Sequence, residues 1–147
     1  VSINSQFAIA VHILTLLDFN PDERMSSEYI AGSVNTNPVV IRRIMAQLGK
    51  AGLIATSPGV AGAALTRSAD RISLLDVYAA VQQEQRDKLF RIHETPNPQC
   101  QVGRNIQGSL EASFAQATSA MERELAQTTI ADLTRQMKAD GRGLAVE

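Results

Sequence analysis

Val39, Arg42, Arg43, Ala46 and Lys50 recur at spacings that place side chains on one face of a helix. Three of the five are cations and none is an acid. A face of this kind can read a polyanion. Guanidinium and ammonium groups reach phosphates or guanine edges, and small apolar groups meet thymine methyls. On the helix alone, an ordinary amphipathic helix with a solvated basic face is an equally good reading. The second chemically able residue is Cys100, the single cysteine of the chain. It falls just before a long helical pattern, where the helix dipole and free N–H groups favour a thiolate and reversible oxidation. A half-buried, inert thiol is the competing reading. His12 lies on a helix and reads as structural. No nucleophile–base pair, phosphate loop or paired carboxylates suggest catalysis, so an enzyme is not expected.

The elements that position the basic face are a helix-turn-helix. Ser26 to Gly52 reads as two helices with a tight turn between them. Ala31 is small where the helices must cross closely, Asn35 suits a left-handed turn position, and Ile41 packs the second helix back on the first. Asn37 is a good N-cap and Pro38 suits the first helical position. Gly52 is a natural stop, with Lys50 in the last turn. Ile41, Ile44, Met45 and Leu48 form the buried face. Leu53 to Ser57 and Ala64 to Arg67 read as two short strands joined by the small, turn-rich run Pro58 to Ala63. A helix-turn-helix followed by a hairpin is a winged helix. Its glycine-bearing tip lets backbone approach a phosphate closely. Charge follows the same plan. Residues 34–71 hold five basic side chains, Arg42, Arg43, Lys50, Arg67 and Arg71, against one acid, Asp70. Residues 1–33 hold Arg24 against Asp18, Asp22, Glu23 and Glu28. Positive potential is therefore concentrated on the reading head of a chain whose net charge is −1.

The C-terminal half predicts a second copy. Ile106, Leu110, Phe114, Ala117, Met121 and Leu125 form one apolar stripe on a helix of roughly 22–25 residues, about 33–37 Å long. So long a stripe exceeds what a small winged-helix core can cover, and pairing with the same helix of a second subunit would bury it; packing on its own domain alone is the competing reading. Thr128-Thr129 marks a break before a short closing helix carrying Ile130, Leu133 and Met137. A first helix over 4–19 has Phe7, Ala10, Val11, Leu14 and Leu17 as its core face. Ser26 or Ser27 caps the next helix, and Ser73 with Asp76 resembles a capping box opening a helix from Leu74 to Gln83.

Mainly α structure with a small β wing is therefore expected. The domains would be a winged-helix head over 1–83, a connector and possible sensing loop over 84–102, dimerisation helices over 103–138, and a frayed tail over 139–147. The 147 residues, 44% hydrophobic and 20% charged, suit a soluble globular protein. No apolar run approaches the ~18 residues of a membrane span, so no membrane partner is expected. The chain begins with Val1 and shows no secretory signal. One cysteine excludes an intrachain disulfide framework and fits a reducing cytoplasm.

Taken in order, Ser26-Ser-Glu-Tyr-Ile-Ala31, Asn37-Pro-Val-Val-Ile-Arg-Arg43, Lys50-Ala-Gly-Leu53, the wing Gly59 to Leu65 and Ile72-Ser-Leu-Leu-Asp-Val77 resemble the Rrf2 family of bacterial transcriptional regulators. The resemblance covers about residues 1–137. It implies a dimeric winged-helix repressor, paired through its long helices on a double-stranded DNA operator and answering a redox or small-molecule signal. It implies DNA contacts from Ser5, Ser26, Ser27, Asn37, Pro38, Val39, Arg42, Arg43, Ser57, Gly59 and Gly62, beside the cations Lys50 and Arg67. Two departures stand out. The family's wing carries a Gly-Gly pair, and here Gly62 is followed by Ala63. Cluster-binding members place three cysteines before the long helix, and here Cys100 stands alone, with His93 seven residues away. An iron–sulfur cluster is therefore not expected, nor any other cofactor. A winged-helix dimer that binds another protein instead of DNA is the competing class. Such domains often carry acids on the recognition helix, and this one has none.

Overall fold

The computed structural model describes residues 5–57, 59–82 and 96–145. Helix α1 spans Ser5–Phe19 and runs through the middle of the head, touching α2 (Ser27–Val34), α3 (Pro38–Lys50), α4 (Leu74–Val81), α6 (Ile130–Ala145) and the second strand of the wing. With neighbours on several sides it buries a broader face than one stripe. Ile13 joins Ala10, Leu14 and Leu17 in the interior, while Phe7 and Val11 pack at its margin. The Phe7 ring meets Tyr78 edge to face at 5.6 Å between centroids.

The expected punctuation of the helix-turn-helix is present. The Ser26 side chain accepts the Tyr29 N–H, so Ser26 and not Ser27 is the N-cap of α2. Asn35 takes the left-handed conformation (φ 62°, ψ 51°) and donates its N–H to the Ala31 carbonyl. Asn37 caps α3 by accepting the Val39 N–H at 2.8 Å, with Pro38 as the first helical residue. Gly52 follows the helix at φ 80°, a conformation that favours glycine. Ile41, Ile44 and Leu48 are fully buried.

The wing differs from expectation. Strand β1 is Ile54–Ser57, and β2 is Val60–Leu65 where Ala64 to Arg67 was expected. The pairing is antiparallel, with Ile54 opposite Leu65, Thr56 opposite Ala63, and a bulge between Thr56 and Ser57. The small residues Ala61, Gly62 and Ala63 are strand and not loop because a third backbone segment holds them. Met25 and Ala63 exchange backbone hydrogen bonds in an antiparallel bridge. Arg67 consequently falls beyond the strand.

A 3-10 turn at Ala69–Arg71 leads to α4, which opens with the expected capping box: Ser73 Oγ accepts the Asp76 N–H at 3.1 Å and Asp76 Oδ2 accepts the Ser73 N–H at 3.0 Å. Helix α4 ends at Val81, short of the expected Gln83. Helix α5 spans Gln101–Gln127, 27 residues or about 40 Å, longer than expected and starting before Gly103. It packs on α4. Helix α6 has a second capping box, Thr129 with Asp132. It returns to α1 and buries Ile130 and Thr134. The tail expected from Ala139 is helical as far as Ala145. The first half of α6 docks on α1, and the Lys138 ammonium lies over the Phe19 ring, 5.4 Å from the centroid, so the helix enters the stretch with Gly141 and Gly143 already anchored.

Residues Ile72 to Leu74 and Thr128 to Ile130 join the two halves. Leu74 donates its N–H to the Thr128 carbonyl at 2.8 Å, and Ile130 donates to Ile72 at 2.9 Å. Both capping boxes open from this bridge, so the starts of α4 and α6 are held in register.

Candidate nucleic-acid interface

Helix α3 presents the candidate face. Val39 is 64% exposed, and Arg42, Arg43, Ala46 and Lys50 are exposed as well. Beside it lies a groove of about 620 Å3 between α3 and the wing, lined by Ser27, Arg42, Met45, Ala46, Gly49, Thr56, Val60 and Gly62 among others. The structure thus brings one α2 residue, the middle of α3 and the wing to a single surface.

Each sequence-predicted residue has a definite place. Ser5 is the exposed first residue of α1. Ser26 and Asn37 are caps whose side-chain oxygens serve backbone N–H groups, and the amide N–H groups of Asn37 lie outside its cap bond. Pro38 opens α3, and Lys50 closes it where a cation complements the dipole. Ser57 ends β1, and Gly59 is exposed at φ 76° with open space where a Cβ would stand. Gly62, at φ 87°, is different. A Cβ there would meet the Met25 backbone nitrogen at 2.8 Å, so close approach of two strands demands this glycine. Arg24 reinforces that contact by donating to the Gly62 carbonyl at 3.1 Å. Ala63 is fully buried against Met25, so the family's second wing glycine is here a core position. Arg67 bonds Asp76 at 3.2 Å and thereby joins the α4 capping box.

One residue of this surface was not a candidate from sequence. Glu28, in the first turn of α2, pairs its Oε1 with Arg42 Nη2 at 3.2 Å. Arg42 Nε donates to Ser27 Oγ at 3.4 Å, and Ser27 Oγ donates to Glu28 Oε2 at 3.3 Å. Its own backbone N–H, then Arg42 and Ser27, hold the Glu28 carboxyl below its ordinary value of 4.5. The recognition helix is free of acids, but a neighbouring helix supplies one.

Cys100 is exposed and is the N-cap residue of α5, without a side-chain capping bond. Its N–H donates to the Asn97 carbonyl at 3.2 Å. A Cβ on Gly103 would meet that carbonyl oxygen at 2.2 Å, so the Asn97–Cys100 turn lies directly on the first turn of α5. His93 lies outside the described residues. On α5 the residues Ile106, Leu110, Phe114, Met121 and Leu125 are half-buried, and Ala117 is exposed. No residue of this helix is buried in the single chain.

A family model for Rrf2, described as an iron-dependent transcriptional regulator, matches residues 3–136. The chain belongs to the Rrf2 family. The Bacillus subtilis protein YwnA, which carries the name of an HTH-type transcriptional regulator, is 49% identical over 131 residues, covering 89% of this chain and 96% of YwnA. A solved structure described as a DNA-binding protein is 44% identical with a TM-score of 0.71, covering 88% of this chain and 98% of that one. A transcriptional regulator from Lactobacillus plantarum is 27% identical with a TM-score of 0.77, covering 96% and 95%. Fold and relatives are those of transcriptional regulators and not of enzymes. Rrf2 members can bind iron–sulfur clusters. Such clusters are held by several thiolates, and this chain has one cysteine and two histidines in all. Among the described residues no group of three or more His, Cys, Asp or Glu side chains could hold a metal ion. The donor set of one chain does not fit a cluster. No helix among the described residues is long and apolar enough to cross a membrane.

Proposed function

We propose that this Rrf2 protein is a dimeric repressor that binds a two-fold DNA operator and releases it on a redox or small-molecule signal. The observation that carries the DNA-binding part is the exposed face of α3, with Arg42, Arg43 and Lys50 beside the wing groove. The contact set is the one named above: Ser5 on α1, Ser26 and Ser27 on α2, Asn37 to Val39 with the cations on α3, and Ser57 and Gly59 in the wing. Gly62 serves chiefly by shaping the wing, and Arg67 by bracing α4.

A second copy is supported by α5. About 40 Å of helix carries five large apolar side chains that the single chain leaves half-buried. A two-fold partner covers them and doubles the phosphate contacts. The operator is free to engage the head over 1–83 while α5 holds the pair, and the connector over 84–102 with Cys100 is the natural place for a signal to enter. Repression itself rests on the family resemblance.

Fluorescence anisotropy against a random duplex at two salt concentrations tests the reading. Binding should weaken by about 0.9 log units per tenfold rise in salt for every phosphate neutralised. Salt-independent binding, or none, would favour a winged-helix module that meets another protein instead.

A further inference from the structure

Arg42 does not lie free on the reading face. Its guanidinium, Ser27 and Glu28 close a ring of hydrogen bonds: Arg42 Nη2 to Glu28 Oε1, Arg42 Nε to Ser27 Oγ, and Ser27 Oγ to Glu28 Oε2, at 3.2, 3.4 and 3.3 Å. The side chains of Arg42 and Glu28 are 56% and 66% exposed, so the pair contributes little to folding. A carboxylate is also unwelcome on a surface meant to meet phosphates. Glu28 therefore costs affinity for any DNA and returns little stability. What it does supply is a fixed pose. An arginine has five N–H donors in a rigid fork, and the ring occupies one on Nε and one on Nη2. The Nη1 pair and the other Nη2 hydrogen stay outside the ring, and two such parallel donors match the O6 and N7 acceptors of guanine. The same free fork would also fit a phosphate, so what the ring removes is the freedom to swing away from this pose to a phosphate beside it.

We propose that Glu28 is a specificity-determining residue that fixes Arg42 for base readout and withholds it from phosphates. It thus sets the ratio of sequence-specific to non-specific binding. This inference rests on the DNA-binding reading of α3.

The test uses the full chain and a duplex selected by the wild type from a randomised pool, with an unselected random duplex as the non-specific probe. Wild type, Glu28→Gln, Arg42→Ala and the double variant are compared by anisotropy over a salt series, and thermal melts check that each is folded. Glu28→Gln is expected to bind random duplex more tightly and to steepen its salt slope by about 0.9 as Arg42 takes up a phosphate. The ratio of selected to random affinity should fall about tenfold, within the range of one lost bidentate base contact. In the Arg42→Ala background the same change should leave the ratio within twofold. A ratio unchanged in Glu28→Gln, or one that falls equally with and without Arg42, overturns the role of Glu28 while leaving DNA binding intact. If the wild type enriches no sequence and binds no duplex, the DNA-binding reading falls and this one with it.

Discussion

Gly62 approaches Met25 so closely that a single added methyl group would lie 2.8 Å from the Met25 backbone nitrogen and 2.9 Å from its carbonyl carbon and oxygen. The contact seats the wing on the segment that leads into α2. Gly62→Ala combines a left-handed residue, which costs an L side chain about 1–2 kcal/mol, with a clash against backbone that cannot swing aside. Gly59 shares the left-handed conformation, at φ 76°, but has no atom within 4 Å of the added carbon. Gly59→Ala is therefore expected to lower stability by only about 1–2 kcal/mol, and Gly62→Ala by clearly more. Urea denaturation of the two variants checks the order. Equal losses would mean that the Met25 contact does not hold the wing.

The same pair of residues shows which parts of the fold were legible beforehand. Helix ends with a side-chain cap or turn residue were, because caps act within a few residues: Ser26, Asn35, Asn37 and the Ser73–Asp76 box stand where side-chain chemistry required them, whereas the uncapped end of α4 and start of α5 fell elsewhere than expected. The start of β2 was not. Ala61, Gly62 and Ala63 are strand because Met25, nearly forty positions earlier, pairs with Ala63, and local composition carries no trace of that. The length of α6 was hidden for the same reason, since α1 and Phe19 hold it. On the reading face, the cations could be named from helical spacing. Glu28 could not be placed against Arg42, because the distance between them depends on how two helices cross.

Arg43 and Lys50 differ from Arg42 in their expected effect. Arg42→Ala should weaken binding to a selected duplex by roughly 1–3 kcal/mol and relax sequence preference, as for a base contact. Arg43→Ala should cost the same if it reads a base edge. Lys50→Ala, at the helix end, should weaken selected and random duplexes alike and lower the salt slope by about 0.9 if it meets a phosphate. Anisotropy titrations of the three variants separate these outcomes. Unchanged binding in both arginine variants would remove α3 as the reading helix.

Dimerisation through α5 is best tested without deleting it. A chain cut after Gln101 would also lose Ile130, which is fully buried, and the α6 face that packs on α1. Phe114→Asp leaves those contacts in place and puts a charge in the middle of the half-buried stripe. It should give a folded monomer by light scattering at micromolar concentration, where the wild type is expected to scatter as a dimer. Operator half-sites should then lie about one helical turn, ~34 Å, or a multiple apart. A wild type that scatters as a monomer would rule the arrangement out.

Acid should loosen the start of α6. The Thr129 N–H, followed by the Thr129 hydroxyl and Arg135, holds the Asp132 carboxyl below its ordinary value of 3.8 in spite of some desolvation. The folded protein therefore gives up this proton more readily than the unfolded chain. Between the folded and unfolded values the unfolded chain binds more protons, so stability rises with pH there. The contribution is complete above about 3.8 and is lost as pH falls through the lower folded value. Asp132→Asn should flatten this part of the acid limb in urea midpoints measured from neutral to low pH. Thr129→Ala, which removes the cap, should cost about 0.5–2 kcal/mol at neutral pH. An acid limb identical in Asp132→Asn and wild type would show that the cap does not carry it.

A switch at Cys100 would act through the junction between the connector and α5. The thiol stands at the N-cap of α5, in a turn whose Asn97 carbonyl lies against Gly103 with no room for a side chain between them. Oxidation or alkylation of Cys100 adds volume and polarity at that junction. Cys100 is exposed, so a small adduct can extend into solvent, and a switch here would require the adduct to displace the Asn97–Cys100 turn against the first turn of α5. Because α5 packs on α4, and α4 begins at the bridge shared with α6, such a shift would be passed toward the reading head. Two heads must fit their half-sites at once, so a small rotation costs much of the dimer's affinity. Operator binding by wild type and Cys100→Ser, each with and without hydrogen peroxide or a thiol-reactive electrophile, tests the route. Loss of binding in the wild type alone is the expected result. Equal responses in the two proteins, or none in either, would make Cys100 structural and move the signal to a non-covalent ligand of the 84–102 connector.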